Sequence, residues 1–197
     1  MSIINIGLHG ASGRMGTAVA EAIAKQSNKF VLVTKFSKRH NQDKLFNFCF
    51  PADIIIDFST PDALENLLKI STEVGKKLVI GTTGLSSAHI KEIEKASKSI
   101  AILYSPNMSI GANLIIEMAG RISRILEDYD VEIIDIHHRH KKDSPSGTAL
   151  AIGQNIAKYR DRKFEEVAVF DRANQGIRKE GDIGFSPLRS GGIWGEH

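Results

Sequence analysis

The sequence has few of the features that mark secreted, membrane-spanning or nucleic-acid-binding chains. Its 197 residues include one cysteine, Cys49, so no internal disulfide can form and a reducing cytoplasm fits. No apolar run approaches the ~20 residues that cross a bilayer. The N-terminus, Met1-Ser2-Ile3-Ile4-Asn5, lacks the basic region and apolar core of a signal peptide. No CxxC or HExxH pair suggests a metal, and no metal ligand set is assigned. Acidic residues nearly balance basic ones, 23 against 26. The basic side chains gather in one loop without interleaved aromatics, which argues against nucleic acid. No internal repeat or low-complexity tract is present. What remains is ordinary globular composition, long enough for one large or two small domains.

The first half alternates between two periods. Apolar runs at 3–8, 30–36, 53–58, 77–80 and 100–104 read as buried strands. Between them, amphipathic stretches read as helices. Such alternation gives a doubly wound parallel sheet whose ligand crevice lies at the carboxyl ends of its strands. The first strand runs into Gly10-Ala11-Ser12-Gly13-Arg14-Met15-Gly16, and a helix follows. In that setting a glycine triplet points to a dinucleotide. The turn needs residues without Cβ, and the pyrophosphate needs close backbone approach. The second strand ends in Ser37-Lys38-Arg39, with no carboxylate to bind a ribose 2′-hydroxyl. A hydroxyl and two cations suit a 2′-phosphate, so NADPH is expected over NADH. Gly81-Thr82-Thr83-Gly84 and Ser105-Pro106-Asn107-Met108 stand at the ends of the fourth and fifth strands, where they can touch a bound nucleotide. Residues 1–107 are therefore expected to form a Rossmann-like dinucleotide-binding domain.

A long helix from Ser109 leads into the second domain, 108–197. Its most informative stretch is His137-His138-Arg139-His140-Lys141-Lys142-Asp143-Ser144-Pro145-Ser146-Gly147-Thr148-Ala149. Six consecutive residues carry or can carry positive charge, and a strand at 131–136 precedes them. Ser144 fits an N-cap and Pro145 a first helical position. The N–H groups of the first turn lack intrahelical partners, and no acidic residue follows the cap. Cations, titratable imidazoles and a helix N-terminus together suit a small molecule bearing carboxylates or phosphates. A solvated basic surface is the plain alternative. A shared metal is the weaker one, because His137 and His138 point to opposite faces of an extended chain. Strand-like runs at 166–170, 183–189 and 193–195, the last two broken at Ser190-Gly191-Gly192, suggest an α+β domain with a mixed or antiparallel sheet.

These motifs resemble those of the 4-hydroxy-tetrahydrodipicolinate reductase (dihydrodipicolinate reductase) family of lysine and diaminopimelate biosynthesis. The resemblance rests on Gly10 to Gly16, Asp57-Phe58-Ser59, Gly81 to Gly84, Asn107-Met108-Ser109-Ile110-Gly111, the run from His137 to Ala149, Gly184-Phe185, Arg189-Ser190-Gly191 and Gly195-Glu196-His197. It implies that His137 and Lys141 are the acid–base pair, and that His138, Gly147 and Thr148 bind the substrate's carboxylates. It also implies that Gly10 to Met15, Gly81 to Thr83 and Ser105 to Met108 hold a nicotinamide cofactor. A cyclic dicarboxylate substrate, a soluble cytoplasmic homotetramer and further chain beyond His197 are implied as well, so the chain reads as truncated. One departure is the missing acidic residue near Ser37.

Other readings weigh less. A nucleotide-binding regulatory domain without catalysis, or another NAD(P) reductase of small dicarboxylates, would share the first half. A semialdehyde dehydrogenase needs a nucleophilic cysteine, and Cys49 precedes the third strand. Tyr159 and Lys163 have the spacing of a short-chain dehydrogenase pair but follow a different glycine pattern.

Overall fold

The computed structural model describes residues 2–37 and 43–197. The chain forms two compact units, 1–106 and 107–197. In the first, strands β1 (Ile4–His9), β2 (Phe30–Phe36), β3 (Ile54–Asp57), β4 (Lys77–Ile80) and β5 (Ile102–Tyr104) make one parallel sheet in the order β2-β1-β3-β4-β5. Helices α1 (Arg14–Ala24), α2 (Asp43–Cys49), α3 (Pro61–Glu73) and α4 (Ser87–Ala96) connect them. The register places His9 beside Asp57, and Asp57 beside Ile80, at the carboxyl ends of adjacent strands.

Local chemistry accounts for these elements. Helix α3 starts at Thr60 with Pro61 in its first turn, where a missing N–H costs nothing. Its Leu64, Leu67 and Leu68 repeat at helical spacing and are buried. They pack with Ile55, Leu78 and Ile80 of the sheet and with Cys49. Each fully buried Leu or Ile contributes roughly 1.5–3 kcal/mol of transfer free energy. Gly10 adopts a positive φ of 77°, and a Cβ there would strike the Phe58 carbonyl oxygen. A Cβ at Gly16 would strike the Gly10 carbonyl oxygen. The turn between β1 and α1 therefore closes only with glycine at both places.

In the second unit, α5 (Ile110–Ile125) and α6 (Gly147–Tyr159) accompany a three-stranded sheet. Its strands are β6 (Val131–His137), β7 (Ala168–Val169) and β8 (Ile183–Arg189), in the order β6-β8-β7. A single helical turn, α7 (Phe164–Val167), precedes β7. Both pairings are parallel, so the expectation of a mixed or antiparallel sheet is corrected. The reason lies in the connections. Residues 138–167 and 170–182 return the chain to the starting side before each next strand, so neither link is a hairpin. The only antiparallel feature among the described residues is one bridge, Ile136 to Glu196, formed after the chain turns at 190–192. Ala149, Ile152, Ile156 and Ala157 on α6 pack against Ile133, Ile183 and Phe185. That packing fixes the α6 N-terminus near the end of β6.

Candidate active site

In the first unit the carboxyl ends of the strands border a cleft of about 340 Å³, lined by Gly10, Ser12, Gly13, Ser37, Phe58 and Ser59 among others. Helix α1 begins beside it at Gly13, with no side-chain cap and no acidic residue in its first turn. Glycine backbone that admits close approach and a helix start lacking its own anion are what a pyrophosphate requires. Ala11, Arg14 and Met15 belong to the same turn, and Arg14 and Met15 are exposed. Lys38 lies outside the described residues.

Beneath this cleft the structure reveals a network that spacing alone did not pick out. Asp57 is fully buried at the end of β3. One of its oxygens lies 2.7 Å from His9 Nδ1, and the other accepts from the Thr82 hydroxyl at 2.7 Å. Thr82 accepts in turn from the Ser59 N–H. Thr82 is thus buried and committed to Asp57, whereas Gly81 is buried beside it and Thr83 is exposed. Ser105 and Pro106 follow β5 in the first unit, whereas Asn107 and Met108 fall in the second. There Asn107 Oδ1 accepts from the Ser109 N–H just before α5.

In the second unit β6 ends at His137, which is 8% exposed. Residues alternate along a strand, so Asp135 shares its inward face. Asp135 is 1% exposed. Its Oδ2 accepts from the Ser146 N–H at 2.6 Å and from Arg189 Nη2 at 3.0 Å. Its Oδ1 faces His137 Nδ1 at 2.5 Å. Burial pushes the Asp135 carboxyl up, but the Ser146 N–H, the Arg189 guanidinium and His137 outweigh it and hold the group below the usual carboxylate range. His197 Nε2 lies 2.8 Å from the Ser146 hydroxyl and 3.7 Å from Asp135 Oδ1. Burial, with His137, Lys141 and Arg189 nearby, pushes the His197 imidazole down against the pull of Asp135. Asp135, His137 and His197 offer ligand atoms within 4.8 Å of one another. The Arg189 guanidinium already stands beside that carboxylate as its cation.

The loop after β6 sorts the basic run. Lys141 is partly covered and pairs with Asp143 at 2.9 Å, while Arg139, His140 and Lys142 are exposed. The six positions therefore do not converge on one spot. Helix α6 is capped by Ser146, whose hydroxyl accepts from the Ala149 N–H, and not by Ser144. The Ser146 N–H is drawn to Asp135, and that places the cap two residues later than the Ser-Pro pattern suggests. Gly147 is exposed, and a Cβ there would meet nothing within 4 Å. Thr148 and His138 are half-buried. Asp143 also differs from expectation. Burial raises its carboxyl, but Lys141 and the N–H groups of Asp143 itself and Gly147 hold it below the usual range. An acidic side chain from before the cap thus meets part of the anion demand at this helix start.

Two rival readings dissolve in the fold. Tyr159 donates to Glu117 of α5, whereas Lys163 pairs with Glu166. Cys49 is buried in the core, and burial pushes its thiol up to about 11, which leaves no thiolate to act as a nucleophile.

Asp135, Arg189, His9 and Asp57 are the side chains that sequence reasoning did not assign. Their signals were Asp135 at i−2 from His137 on one strand face, and His9 directly before the first glycine.

The model of the N-terminus of dihydrodipicolinate reductase matches residues 4–108, and that of its C-terminus matches residues 111–197. A 4-hydroxy-tetrahydrodipicolinate reductase of Rickettsia rickettsii is 47% identical over 195 residues, covering 99% of this chain and 79% of the relative. One from Campylobacter jejuni is 38% identical over 196 residues, with the same coverage. A dipicolinate-bound dihydrodipicolinate reductase from Paenisporosarcina sp. TG-14 superposes with a TM-score of 0.72 at 21% identity. It covers 98% of this chain and 81% of that one, and supports the fold. With both family models matched across nearly all of its length, the chain belongs to the dihydrodipicolinate reductase family.

Proposed function

We propose that the chain reduces 4-hydroxy-tetrahydrodipicolinate to tetrahydrodipicolinate with a nicotinamide cofactor, in lysine and diaminopimelate biosynthesis. One observation carries the reading. A buried imidazole, His137, and a partly covered ammonium, Lys141, stand in the same unit as an accessible helix start at Gly147. Proton donors and a carboxylate receptor are what a reductase of a cyclic imine dicarboxylate needs.

The roles follow from the chemistry. Substrate carboxylate binds the N–H groups of Gly147 and Thr148, with the Thr148 hydroxyl and His138 adding donors. It takes over the place held by Asp143, freeing the Lys141 ammonium for the ring. His137 and Lys141 then pass the proton lost from the ring carbon beside C4 to the departing C4 hydroxyl, which leaves as water, and supply the one net proton that completes the reduced ring. The cofactor, when bound, supplies the hydride to C4. The nucleotide is held at Gly10 to Met15, Ser37, Lys38, Gly81 to Thr83 and Ser105 to Met108. NADPH is preferred to NADH, because Ser37 and Lys38 favour a 2′-phosphate. The protein works as a cytoplasmic homotetramer.

The test is the turnover of His137→Gln and Lys141→Ala. Each lowers kcat by roughly two to four orders of magnitude, the usual contribution of a general acid. NADPH affinity stays at the wild-type value. Wild-type turnover in both variants overturns the assignment.

A further inference from the structure

The two oxygens of Asp135 have different surroundings. Oδ2 is saturated by the Ser146 N–H and the Arg189 guanidinium. Oδ1 has no hydrogen-bond partner of good geometry, and neither does His137 Nδ1, 2.5 Å away. Both atoms are buried. Leaving either alone would cost stability, more for the charged group. Each is the other's nearest polar atom on that side of the cluster. A lone pair on Nδ1 would face a carboxylate oxygen and repel it, so Nδ1 carries the proton. Nε2 is then the atom that gains and loses a proton. It lies against Gly195, where a Cβ would sit 2.7 Å from Nε2. Glycine there leaves that edge of the ring clear of a side chain.

We infer that Asp135 is a positioning residue of the reductase, fixing His137 with Nδ1 protonated so that Nε2 is the atom that delivers the proton. Arg189 and Ser146 keep the carboxylate ionised and aimed. Asp135 touches no reacting atom itself; it acts through His137. This logic is that of a base oriented by a buried carboxylate. It rests on the proposed reading of His137 as a proton donor. The charged and titratable groups around the cluster are Asp135 on β6, Arg189 on β8, Lys141 in the loop after β6, and His197 beyond β8.

The experiment is a double-mutant cycle on the whole chain, with Asp135→Asn and His137→Gln alone and together. Asp135→Asn alone lowers kcat by roughly 10²- to 10⁴-fold, because the amide favours the wrong tautomer. The Michaelis constant for the dicarboxylate changes less than threefold. In the His137→Gln background the same substitution has no further effect. Equal losses in both backgrounds, or a Michaelis constant that rises as far as kcat falls, make Asp135 a structural brace only and overturn the inference.

Asp135→Asn also leaves Arg189 without its carboxylate partner, so a measurement on the wild-type chain keeps the inference testable should that variant fail to fold. Histidine-selective nitrogen NMR at alkaline pH reports the His137 tautomer without reference to activity. The Nδ1–H form is expected, and the Nε2–H form overturns the inference. If His137→Gln turns over at the wild-type rate, the functional reading fails instead, and the NMR result still decides the tautomer.

Discussion

Among the described residues, two buried contacts join histidine Nδ1 to an aspartate oxygen, one in each unit, and their surroundings are opposite. His9 and Asp57 lie 2.7 Å apart with Phe36 and Phe48 against the imidazole. The second Asp57 oxygen is taken by Thr82, a neutral donor from the turn after β4. The pair ties together the ends of β1, β3 and β4. His137 and Asp135 lie 2.5 Å apart at the end of β6, with Arg189, Ser146 and His197 around the carboxylate. A cation, a helix cap and a second imidazole surround the same residue pair. The first arrangement holds strands in register. The second, on the proposed reading, orients His137 for proton transfer. The pair of residue types does not decide the role; the neighbours of the carboxylate do.

The comparison breaks first on stability. Asp57→Ala removes the acceptor shared by His9 Nδ1 and the Thr82 hydroxyl. Denaturant unfolding is expected to show a loss of about 2–6 kcal/mol, roughly 1–3 for each of the two buried polar groups left without an acceptor. A loss under 1 kcal/mol would mean that Asp57 is no brace.

Next comes substrate affinity. A Cβ at position 147 meets nothing within 4 Å, so Gly147→Val keeps the fold while placing a branched side chain over the helix start. The Michaelis constant for the dicarboxylate rises about 10- to 100-fold, the equivalent of one charge-assisted hydrogen bond of about 1.5–3 kcal/mol. NADPH affinity stays unchanged. An unchanged Michaelis constant would reduce this helix start to a plain cap.

A smaller effect is expected in the pH dependence of stability. The folded state pushes the His197 imidazole below its ordinary value of 6.5. The unfolded chain then binds more protons between the folded value and 6.5. Stability from this group is complete above about pH 6.5 and falls as pH drops toward the folded value. His197→Gln flattens that part of a melting-temperature profile. For Asp135, held low, the contribution is present above the ordinary carboxylate range and is lost only on further acidification. An identical profile in the His197 variant would contradict this placement.

The smallest effect is no reaction at all. The Cys49 thiol, at about 11 and buried, stays unmodified by a thiol reagent at pH 8 until the chain unfolds. Fast labelling of the native chain would place the thiol at the surface.

Much of the first unit was legible because buried parallel strands are continuous apolar runs. Ile54-Ile55-Ile56 and Leu78-Val79-Ile80 have no other economical reading. The second unit was less so. Strand β7 is two residues long and follows a helical turn, which is too short for a periodic signal. Its pairing depends on where residues 170–182 lead the chain. The cap of α6 was misplaced because Ser144 and Ser146 are equally good caps by type, and a contact to Asp135 decides between them. The basic run was legible as chemistry but not as geometry. Only the fold separates His137 and Lys141 from the exposed Arg139 and His140. Arg189 stands 54 residues from Asp135, and no local pattern joins them. The motifs carried the family and the nominated residues, while the partners that give those residues their electrostatics came from tertiary structure.

The most direct measurement is the oxidation of NADPH by the wild-type chain, followed at the reduced-nicotinamide absorbance band with 4-hydroxy-tetrahydrodipicolinate generated in situ. One NADPH is expected to be consumed for each dicarboxylate that loses its hydroxyl. Oxidation that proceeds without the dicarboxylate, or none when it is supplied, would contradict a reductase built around His137.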